Sequence, residues 1–425
     1  MPTNTRERGA VGLQARLAAA LIAAASFALA QSGAQAAPAR GSDTRYSFAV
    51  VSGAIESPGD EASAQRMFEA IARDRNVAFV VYTGNLKGPN EACRDSLYLQ
   101  RGAILAVSRV PIVFVPGHDD WITCGTAAGG SYDPVERLDF LRQTLLTDPS
   151  SPDPNAPPIT RESEVPRFHP YRENARWMHD DTVFVALNVP APNNHYLTAG
   201  GRNGEFEDRV IANGFWIEHS AEYAKRRGAR ALVMFFEGNP QFDRYERAER
   251  FAWLRFSRPR GRDGFHELKR SLVKAASIFR GPIVIIHADN ETLPYGFAID
   301  RPLHADNGEL VGNVTRIAIG PRQPANQWIR IAVNPVLRTP FNVSLQEVPR
   351  NLPVPPTLPT VPRDETPLPQ MPEIPALPAL PDSSSVAPPL PGDGAAASSG
   401  SSAPGPAPLS APTPGVPASS VQRGP

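Results

Sequence analysis

The stretch from Val77 to Trp121 decides the fold class. It begins with the apolar run VAFVVYT at 77–83, passes through the turn GNLKG at 84–88, and reaches a second apolar run, PIVFVP, at 111–116. Between the runs, residues 93–107 carry apolar side chains at helical spacing. Continuous β-branched and aromatic runs are typical of strands that are buried on both faces. A strand, a helix and a second strand in this order predict a βαβ unit in a layered α/β domain.

The same alternation continues on both sides of this unit. The late strands follow one another without helices and predict an antiparallel portion. Further strands are predicted at 46–53, 182–189, 231–236, 282–288, 315–319 and 328–333, and further helices at 61–74, 134–146, 207–227 and 264–279.

The N-terminus has the pattern of a signal peptide. Arg6, Arg8 and Arg16 precede an Ala/Leu-rich run from Leu17 to Ala30, and Ala34-Gln35-Ala36 is a small-x-small cleavage site. The run is shorter than the roughly 20 residues that a membrane span needs. We therefore expect residues 1–36 to be removed, with export to the periplasm or the extracellular space and no integral membrane segment afterwards. The alternative is an uncleaved anchor.

The C-terminus changes composition abruptly. Of the 47 prolines, 21 lie in the last 75 residues, which contain almost no aromatic side chains. Such a segment buries too little apolar area to offset its ordering entropy. The sequence thus predicts a folded domain at 42–345 and a disordered tail at 346–425, acting as a spacer or, alternatively, as a ligand for an unidentified polyproline-binding partner.

The overall charge excludes a general attraction to polyanions. Lys and Arg total 43, and Asp and Glu also total 43. Binding to nucleic acid or to an anionic membrane would therefore need a local patch. Residues 244–270 carry nine basic and four acidic side chains among aromatic ones that could grip phosphates or stack on bases, but a solvated helix and loop whose aromatic side chains face the core is the preferred interpretation. No nucleic-acid partner is predicted.

The predicted export makes a disulfide between the two cysteines plausible on chemical grounds. Cys93 and Cys124 form an even pair in a compartment that permits disulfides. A bond between them closes a 31-residue loop. We predict this disulfide over the alternatives of two buried thiols or a metal site, because no His or Cys lies at ligand spacing beside either one.

Most chemically suggestive residues follow the ends of predicted strands. The turns in question are 52–56, 84–88, 116–121 and 287–291. Because strand ends in α/β domains meet at one edge of a sheet, they would bring several acids, an imidazole and an amide together. Such a set suits a cation or a phosphate group.

Three of these turns resemble the motifs of a known family. Gly84-Asn85, Gly117-His118-Asp119-Asp120 and Ala288-Asp289-Asn290-Glu291 are similar to the strand-end motifs of the calcineurin-like metallophosphoesterases, most closely a secreted bacterial branch. The segments at 121–124, 132–138, 173–177 and 300–303 also resemble that branch. The resemblance covers residues 46–335 and implies a four-layer αββα sandwich of two mixed sheets, with phosphoester hydrolysis at a two-metal centre.

The residues depart from the family at the metal-binding positions. Ala54 falls where the family has its first Asp, and Glu56 where it has His; the metal-bridging Asp falls on Asn85. Asn85 offers one neutral carbonyl where a bridging carboxylate would offset the repulsion between two cations. The resemblance therefore implies a site that binds two transition metals weakly or not at all.

A second set of positions also departs from the pattern. His118 falls on the ligand Asn, Asp119 on the transition-state His, and Asp289 and Glu291 on the last two His, while Asp120 keeps the acidic type. An anionic carboxylate at the place of the imidazole would repel phosphoryl oxygens. The oxygen-rich set favours Mg, Mn or Ca over a di-iron or di-zinc site, if a metal binds at all. The candidate metal-binding cluster is Asn85, His118, Asp119, Asp289 and Glu291.

Each candidate also has a purely structural interpretation. His287, at the end of an apolar strand, is expected to be a hydrogen-bonded core histidine, and Asp119 and Asp120 are equally well explained as turn residues. Glu237, at the end of a predicted strand, could face the site, but solvent exposure is the preferred expectation. Two functions follow: a hydrolase of small phosphorylated substrates with a remodelled or single-metal site, or a catalytically inactive relative that acts as a binding module.

Overall fold

The computed structural model describes residues 46–146, 157–196, 203–242, 263–321, 326–334, 337 and 340–353. The basic segment from 243 to 262, residues 1–45 and most of the predicted tail lie outside these ranges. Within them, twelve strands form two sheets. The strands are β1 (Tyr46–Ser52), β2 (Val77–Thr83), β3 (Ile112–Val115), β4 (Thr160–Arg161), β5 (Ala175–His179), β6 (Thr182–Ala186), β7 (Ala231–Phe236), β8 (Ile283–Ala288), β9 (Phe297–Asp300), β10 (Val314–Ile319), β11 (Gln327–Val333) and β12 (Phe341–Glu347).

Six α-helices lie in the same described ranges. The third is a single turn; the other five confirm the predicted helices to within three residues at either end. They are α1 (Glu61–Arg73), α2 (Asp95–Ala106), α3 (His118–Trp121), α4 (Pro134–Thr144), α5 (Gly204–Arg227) and α6 (His266–Ile278).

Local chemistry explains where helices begin and end. The carboxylate of Asp133 accepts hydrogen bonds from the backbone N–H groups of Val135 and Glu136 and so caps the start of α4, with Pro134 in the first helical position. Helix α5 ends at Gly228, whose φ of 63° is left-handed. Glycine adopts this conformation without the steric cost that a Cβ adds.

Both sheets are mixed. The first has the order β12-β11-β1-β2-β3, and the second has the order β4-β5-β6-β7-β8-β10-β9. Strands β1, β2 and β3 run parallel, as do β6, β7, β8 and β10, whereas β11 and β12 pair antiparallel. The predicted antiparallel portion is therefore confirmed for β11, which pairs antiparallel with β1 and with β12, whereas β10 joins the parallel part of the second sheet.

Side-chain alternation along the strands produces four layers. Phe48 on β1, Phe79 on β2 and Phe235 on β7 point into the core between the sheets, and each fully buried aromatic side chain contributes about 1.5–3 kcal/mol. The intervening residues face outward, where α1 and α2 cover the first sheet and α5 and α6 cover the second. The predicted αββα sandwich of two mixed sheets is confirmed.

Four strands were not predicted. β5 was missed because Arg176 interrupts an otherwise apolar run, although Ala175 and Trp177 on either side of it face the inter-sheet core. β4 and β9 are short edge strands. β12 runs to Glu347, and Leu352 is buried, so ordered structure continues slightly beyond residue 345.

Candidate functional site

The turns after β2, β3, β7 and β8 are linked by contacts at one edge of the molecule. A Cβ on Gly84, after β2, would lie 2.6 Å from Cγ of Glu237, after β7. The amide of Asn239 donates to Oδ2 of Asp289, after β8, over 3.0 Å. The parallel strands of both sheets thus present their C-terminal ends to one edge, and we refer to the space between these turns as the cleft.

Two glycines allow the turns after β2 and β3 to touch. A Cβ on Gly117 would lie 2.6 Å from Cα of Gly84 and 2.7 Å from Oδ1 of Asn85. Gly84 and Asn85 both have left-handed backbone, with φ of 70° and 48°. Asn tolerates this conformation better than most residues. The Gly-Asn pair therefore serves the turn itself.

Asp120 fastens these two turns together. It is fully buried, and its Oδ1 and Oδ2 accept hydrogen bonds from the backbone N–H groups of Leu86 (2.5 Å) and Gly117 (2.7 Å). Burial raises the pKa of this carboxyl to about 7, against the opposing effect of the two N–H groups and of Lys87. Both oxygens are in use, as the turn-forming interpretation of this residue expected.

Asn85, His118 and Asp119 are brought together. Oδ1 of Asn85 accepts the backbone N–H of Asp119 over 2.9 Å. The half-buried imidazole of His118 has its pKa lowered by burial, partly offset by Asp119. Its Nδ1 is sealed from solvent without a hydrogen-bond partner. Burial raises the pKa of the Asp119 carboxyl, against the effect of His118 and Lys87.

Lys87 is a site residue that sequence reasoning missed. Its side chain is fully buried, and Nζ donates to the carbonyl of Gly88 (2.8 Å) and to Oγ1 of Thr123 (3.4 Å). Burial lowers the pKa of the ammonium, whereas the charges of Asp120, Asp119 and Glu91 act in the opposite direction. A positive charge is therefore built into the acidic edge.

His195 is a second residue that was missed. It lies on the loop after β6, where Asn193, Asn194 and His195 all have left-handed φ, between 51° and 55°. Its ring packs edge-on against Trp121, with centroids 5.2 Å apart, and its Nδ1 lies 3.7 Å from the carboxylate of Glu205. Like charge from His195 contributes to the lowered pKa of His118, so the two imidazoles are neighbours. Asn tolerates this conformation better than most residues, so His195 is the position in this loop at which left-handed backbone is costly.

Glu237 was predicted to be exposed, and this is wrong. It is 6% exposed because its side chain packs against Gly84. Oε2 accepts the backbone N–H of Ala191 over 2.7 Å. Burial raises its pKa to about 7, and the nearby carboxylates of Asp120 and Asp119 add to this rise.

The remaining candidates lie at the end of β8 and in the turn that follows it. Asp289 uses Oδ1 to accept the backbone N–H of Glu291, whose side chain is exposed. Within the described ranges, no hydrogen bond or ion pair joins Asp289 or Glu291 to Asn85, His118 or Asp119. His287 is fully buried, and its Nδ1 lies 2.6 Å from the carbonyl of Ala288, as expected of a core histidine.

The position of the family's first Asp belongs to the hydrophobic core. Ala54 is 6% exposed and clusters with apolar residues of β1, α1 and β2. Its backbone N–H donates to the hydroxyl of Tyr82 over 3.0 Å. Glu56 is exposed, and its backbone N–H donates to Asp60. Neither residue supplies a cleft carboxylate of the kind that a metal centre needs.

The predicted disulfide is present. Cys93 and Cys124 are bonded, with their Cα atoms 5.6 Å apart. The bond joins the turn after β2 to the segment after α3 and packs in a small core with Tyr98, Trp121 and Leu138. It therefore braces the two turns that carry Asn85 and His118.

The residues do not fit a two-metal centre. Across the part of the chain that the structure describes, no three His, Cys, Asp or Glu side chains converge as a metal-binding group. The oxygens of Asp120, Asn85 and Asp289 already accept hydrogen bonds from the protein. The ammonium of Lys87 adds a positive charge that would repel a divalent cation.

A buried polar network lies beside the site. Asn174 donates from Nδ2 to Oε2 of Glu162 (2.7 Å) and Oδ1 of Asn213 (2.8 Å), and Glu173 forms a two-point pair with Arg142 over 2.8 and 2.6 Å. Oε1 of Glu162 has no partner and is sealed from solvent. Burial raises the pKa of Glu162 to about 8, with the charge of Glu173 adding to the rise.

Replacing Glu162 by Gln should stabilise the protein only at high pH. The native carboxyl keeps its proton up to about pH 8, whereas the unfolded chain releases it near 4.5, so stability falls as pH rises between these values. We expect Glu162→Gln to raise the free energy of unfolding by about 2–4 kcal/mol near pH 9 and to change it little near pH 4.5. Urea unfolding at both pH values measures this. Glu164→Gln, at an exposed position, is the control; an equal gain in both variants, or a gain that does not depend on pH, would contradict the prediction.

No family model and no curated protein matches the chain. Among solved structures, it is similar to a purple acid phosphatase from yellow lupin (Lupinus luteus) seeds, with 11% identity, a TM-score of 0.33, and 71% of this chain and 54% of that chain covered. It is also similar to GAP50, the anchor in the inner membrane complex of Plasmodium, with 10% identity, a TM-score of 0.38, and coverage of 73% and 86%. It is similar as well to the NAD nucleotidase of Haemophilus influenzae, with 8% identity, a TM-score of 0.36, and 72% of this chain and 50% of that chain covered.

The chain thus spans about half of the lupin phosphatase and of the NAD nucleotidase. Both are calcineurin-like metallophosphoesterases, so the family that the motifs resemble is met again among similar solved structures. Similarity at this level of identity and TM-score carries no argument about activity. The two mixed sheets and their outer helices define the fold class.

Proposed function

We propose that this protein is a binding module built on a metallophosphoesterase-like fold, with a cleft that works without metal. The observation that carries the proposal is that the groups in the strand-end turns are buried or already hydrogen-bonded within the protein. Ala54 lies in the core, Asn85 and Asp120 are occupied by backbone N–H groups, and Lys87 is buried in the same turn as Asn85. In such a cleft the polar groups are held by hydrogen bonds within the protein and not by a metal ion.

Electrostatics supports this choice over the hydrolase. Two cations about 4 Å apart need shared anionic ligands to offset their repulsion. Asn85 supplies no charge, and the ammonium of Lys87 opposes any cation placed beside it. The cleft is suited to a ligand that is held by hydrogen bonds and by the half-buried groups His118, Asp119 and His195.

The metal-free cleft makes a sharp prediction. A bound metal at a hundred times its Kd would add about 2.7 kcal/mol to the free energy of unfolding and raise the melting temperature clearly. Because we propose that the cleft binds no metal, the melting temperature of the native protein should shift by less than about 1 °C with Mg²⁺, Mn²⁺, Ca²⁺ or Zn²⁺. The double variant Asn85→Asp, Lys87→Met should gain a shift of several degrees with Mn²⁺. An aspartate at 85 can keep the hydrogen bond to Asp119 while adding a charge.

Asn90→Asp is the matched control. Asn90 lies in the same turn but is exposed, so its change adds the same charge outside the cleft and should leave the metal response unchanged. A shift of several degrees in the native protein, or equal shifts in the control and the double variant, would end the proposal.

A single-metal hydrolase is the second candidate. It is favoured by one observation, the buried and unpartnered Nδ1 of His118 beside Asp119. Its substrates would be small phosphorylated molecules. Assays with p-nitrophenyl phosphate and its diester in Mg, Mn, Ca, Zn and Fe decide between the two functions: turnover that is lost in His118→Ala supports the hydrolase, and no turnover in any metal removes it.

We also propose that the protein is exported. The proposal rests on the signal-peptide pattern of residues 1–36 and is supported by the disulfide, since such bonds persist in oxidising compartments. None of the helices in the described ranges is long and apolar enough to cross a membrane. N-terminal sequencing of the protein from its native host should begin at Ala37; an intact N-terminus in the cytoplasmic fraction would refute export.

A further inference from the structure

Arg176 lies in the segment Glu173–Trp177, which the cleft does not use. Its neighbours Ala175 and Trp177 face the core between the sheets, so Arg176 points the other way, beneath helix α5. The side chain is only 6% exposed. An arginine is rarely buried to this extent unless it is paired.

Arg176 is an exception among the buried arginines of this protein. Five arginines in the described ranges are buried. Arg176 has no carboxylate within 4 Å in the same ranges, and its one hydrogen-bond contact is Nη1 to Nδ1 of His219, at 3.4 Å. The other four each have a carboxylate within that distance: Arg101, Arg137, Arg142 and Arg209.

Aromatic rings surround the guanidinium. Its Cζ lies 4.7 Å from the ring centroid of Trp216 and 4.2 Å from that of Tyr223. Such cation–π contacts compensate part of the lost hydration but occupy only the faces of the guanidinium, so N–H donors at its edge stay available to a ligand. His219 and Phe215 stack on each other at 5.4 Å, and Phe215 is 36% exposed, so this aromatic group reaches the surface.

Arg176 and His219 are basic groups in direct contact. Burial, together with the like charge of Arg226, lowers the pKa of Arg176, and Glu164 is an opposing acid that forms no pair with it. Burial and the charges of Arg176 and Arg226 also lower the pKa of His219. An anion at the edge of the guanidinium would therefore meet a positive charge and an imidazole, with no carboxylate within 4 Å of the guanidinium in the described ranges to oppose it.

We propose that Arg176 and His219 form a binding site for a small oxyanion, a phosphate group in particular, between strand β5 and helix α5. The planar fork of arginine matches the oxygens of a phosphate, and a desolvated, aromatic-lined setting strengthens such charge-assisted hydrogen bonds. The site lies on the outer face of the second sheet, away from the cleft proposed above, and does not depend on the cleft's function.

The test is a titration of the full-length protein with inorganic phosphate, followed by tryptophan fluorescence and calorimetry. Trp216 packs on the guanidinium and should report binding. The wild type should bind phosphate with a Kd of about 1 mM or below, and Arg176→Met should weaken binding at least about tenfold. Arg176→Lys keeps the charge but loses the fork, and should be intermediate. Acetate at the same concentrations separates phosphate from a general carboxylate preference: equal affinities would overturn the assignment to phosphate.

Arg227→Met is the matched control. Arg227 is exposed and stacks on the other contact residue, with its Cζ 5.3 Å from the ring of Tyr223, yet it is outside the proposed site. It should change the affinity less than about twofold. If Arg176→Met does not fold, His219→Gln serves instead and should weaken binding several-fold. Absence of phosphate binding in the wild type up to about 50 mM, or equal affinity in every variant, would overturn the proposal.

Discussion

Asp120→Asn should destabilise the protein by about 3 kcal/mol, although it removes one charge and no volume. The native carboxylate gives one oxygen to the backbone N–H of Leu86 and the other to that of Gly117. An asparagine offers one acceptor and one donor, so one of the two buried N–H groups would face another N–H group. The expected fall in melting temperature is roughly 6–12 °C.

The neighbouring residue provides the control. Asp119→Asn changes the same charge one residue earlier, at a half-buried side chain that accepts no backbone N–H within the described ranges. We expect a change of less than about 1 kcal/mol. Equal destabilisation of the two variants in urea unfolding would show that charge, and not the bridging of two turns, is what Asp120 contributes.

Loss of the disulfide has the other large expected effect. The double variant Cys93→Ala, Cys124→Ala should lose about 3–4 kcal/mol of stability because the 31-residue loop between them is no longer constrained in the unfolded chain. Both cysteines are fully buried, so the small core around them also loses contacts. The measurement is the urea unfolding of the variant and of the wild type with its disulfide intact.

The wild type with and without reductant separates these two contributions. Once unfolded, its bond becomes accessible to reductant, and the reduced wild type should approach the stability of the double variant. The variant itself should not respond to reductant. A reduced wild type as stable as the oxidised one would contradict the constraint, and would place the effect of the double variant in packing alone.

Both variants are expected to loosen the same part of the cleft. Asp120 and the disulfide both tie the turn after β2 to the segment after β3, and Lys87 is buried within that junction. A loosened junction should expose the ammonium and the carboxylates together. The cleft is therefore a structural joint as much as a binding surface.

Local patterns were sufficient for most of the secondary structure. β2 and β7 begin and end at the predicted residues because their apolar runs are continuous and are bounded by Gly or polar residues. β5 was not predicted because Arg176 interrupts the apolar pattern of the segment. Its role depends on helix α5, which supplies the aromatic rings, and no feature within five residues of Arg176 predicts that partner.

The candidate site was predicted only in part. Asn85, His118 and Asp119 lie together because they follow adjacent parallel strands, a relation that can be derived from the chain. Lys87, His195 and Glu237 were missed or misplaced. A lysine or glutamate in a turn is normally solvated, and only the close approach of Gly84 to Glu237, and of the turns after β2 and β3, buries these side chains.

The amino-acid sequence by itself determined the α/β class, the order of most strands and helices, the cysteine pair, and the presence of Ala54 and Asn85, which carry no carboxylate, in two of the strand-end turns. These properties are local, or depend on residue identity alone. The tertiary structure decided which polar groups are occupied by backbone donors, which charges are buried, and which arginine lacks an acid. Burial and hydrogen bonding are set by contacts between residues far apart in the chain, and the pattern of one segment contains no information about what will pack against it.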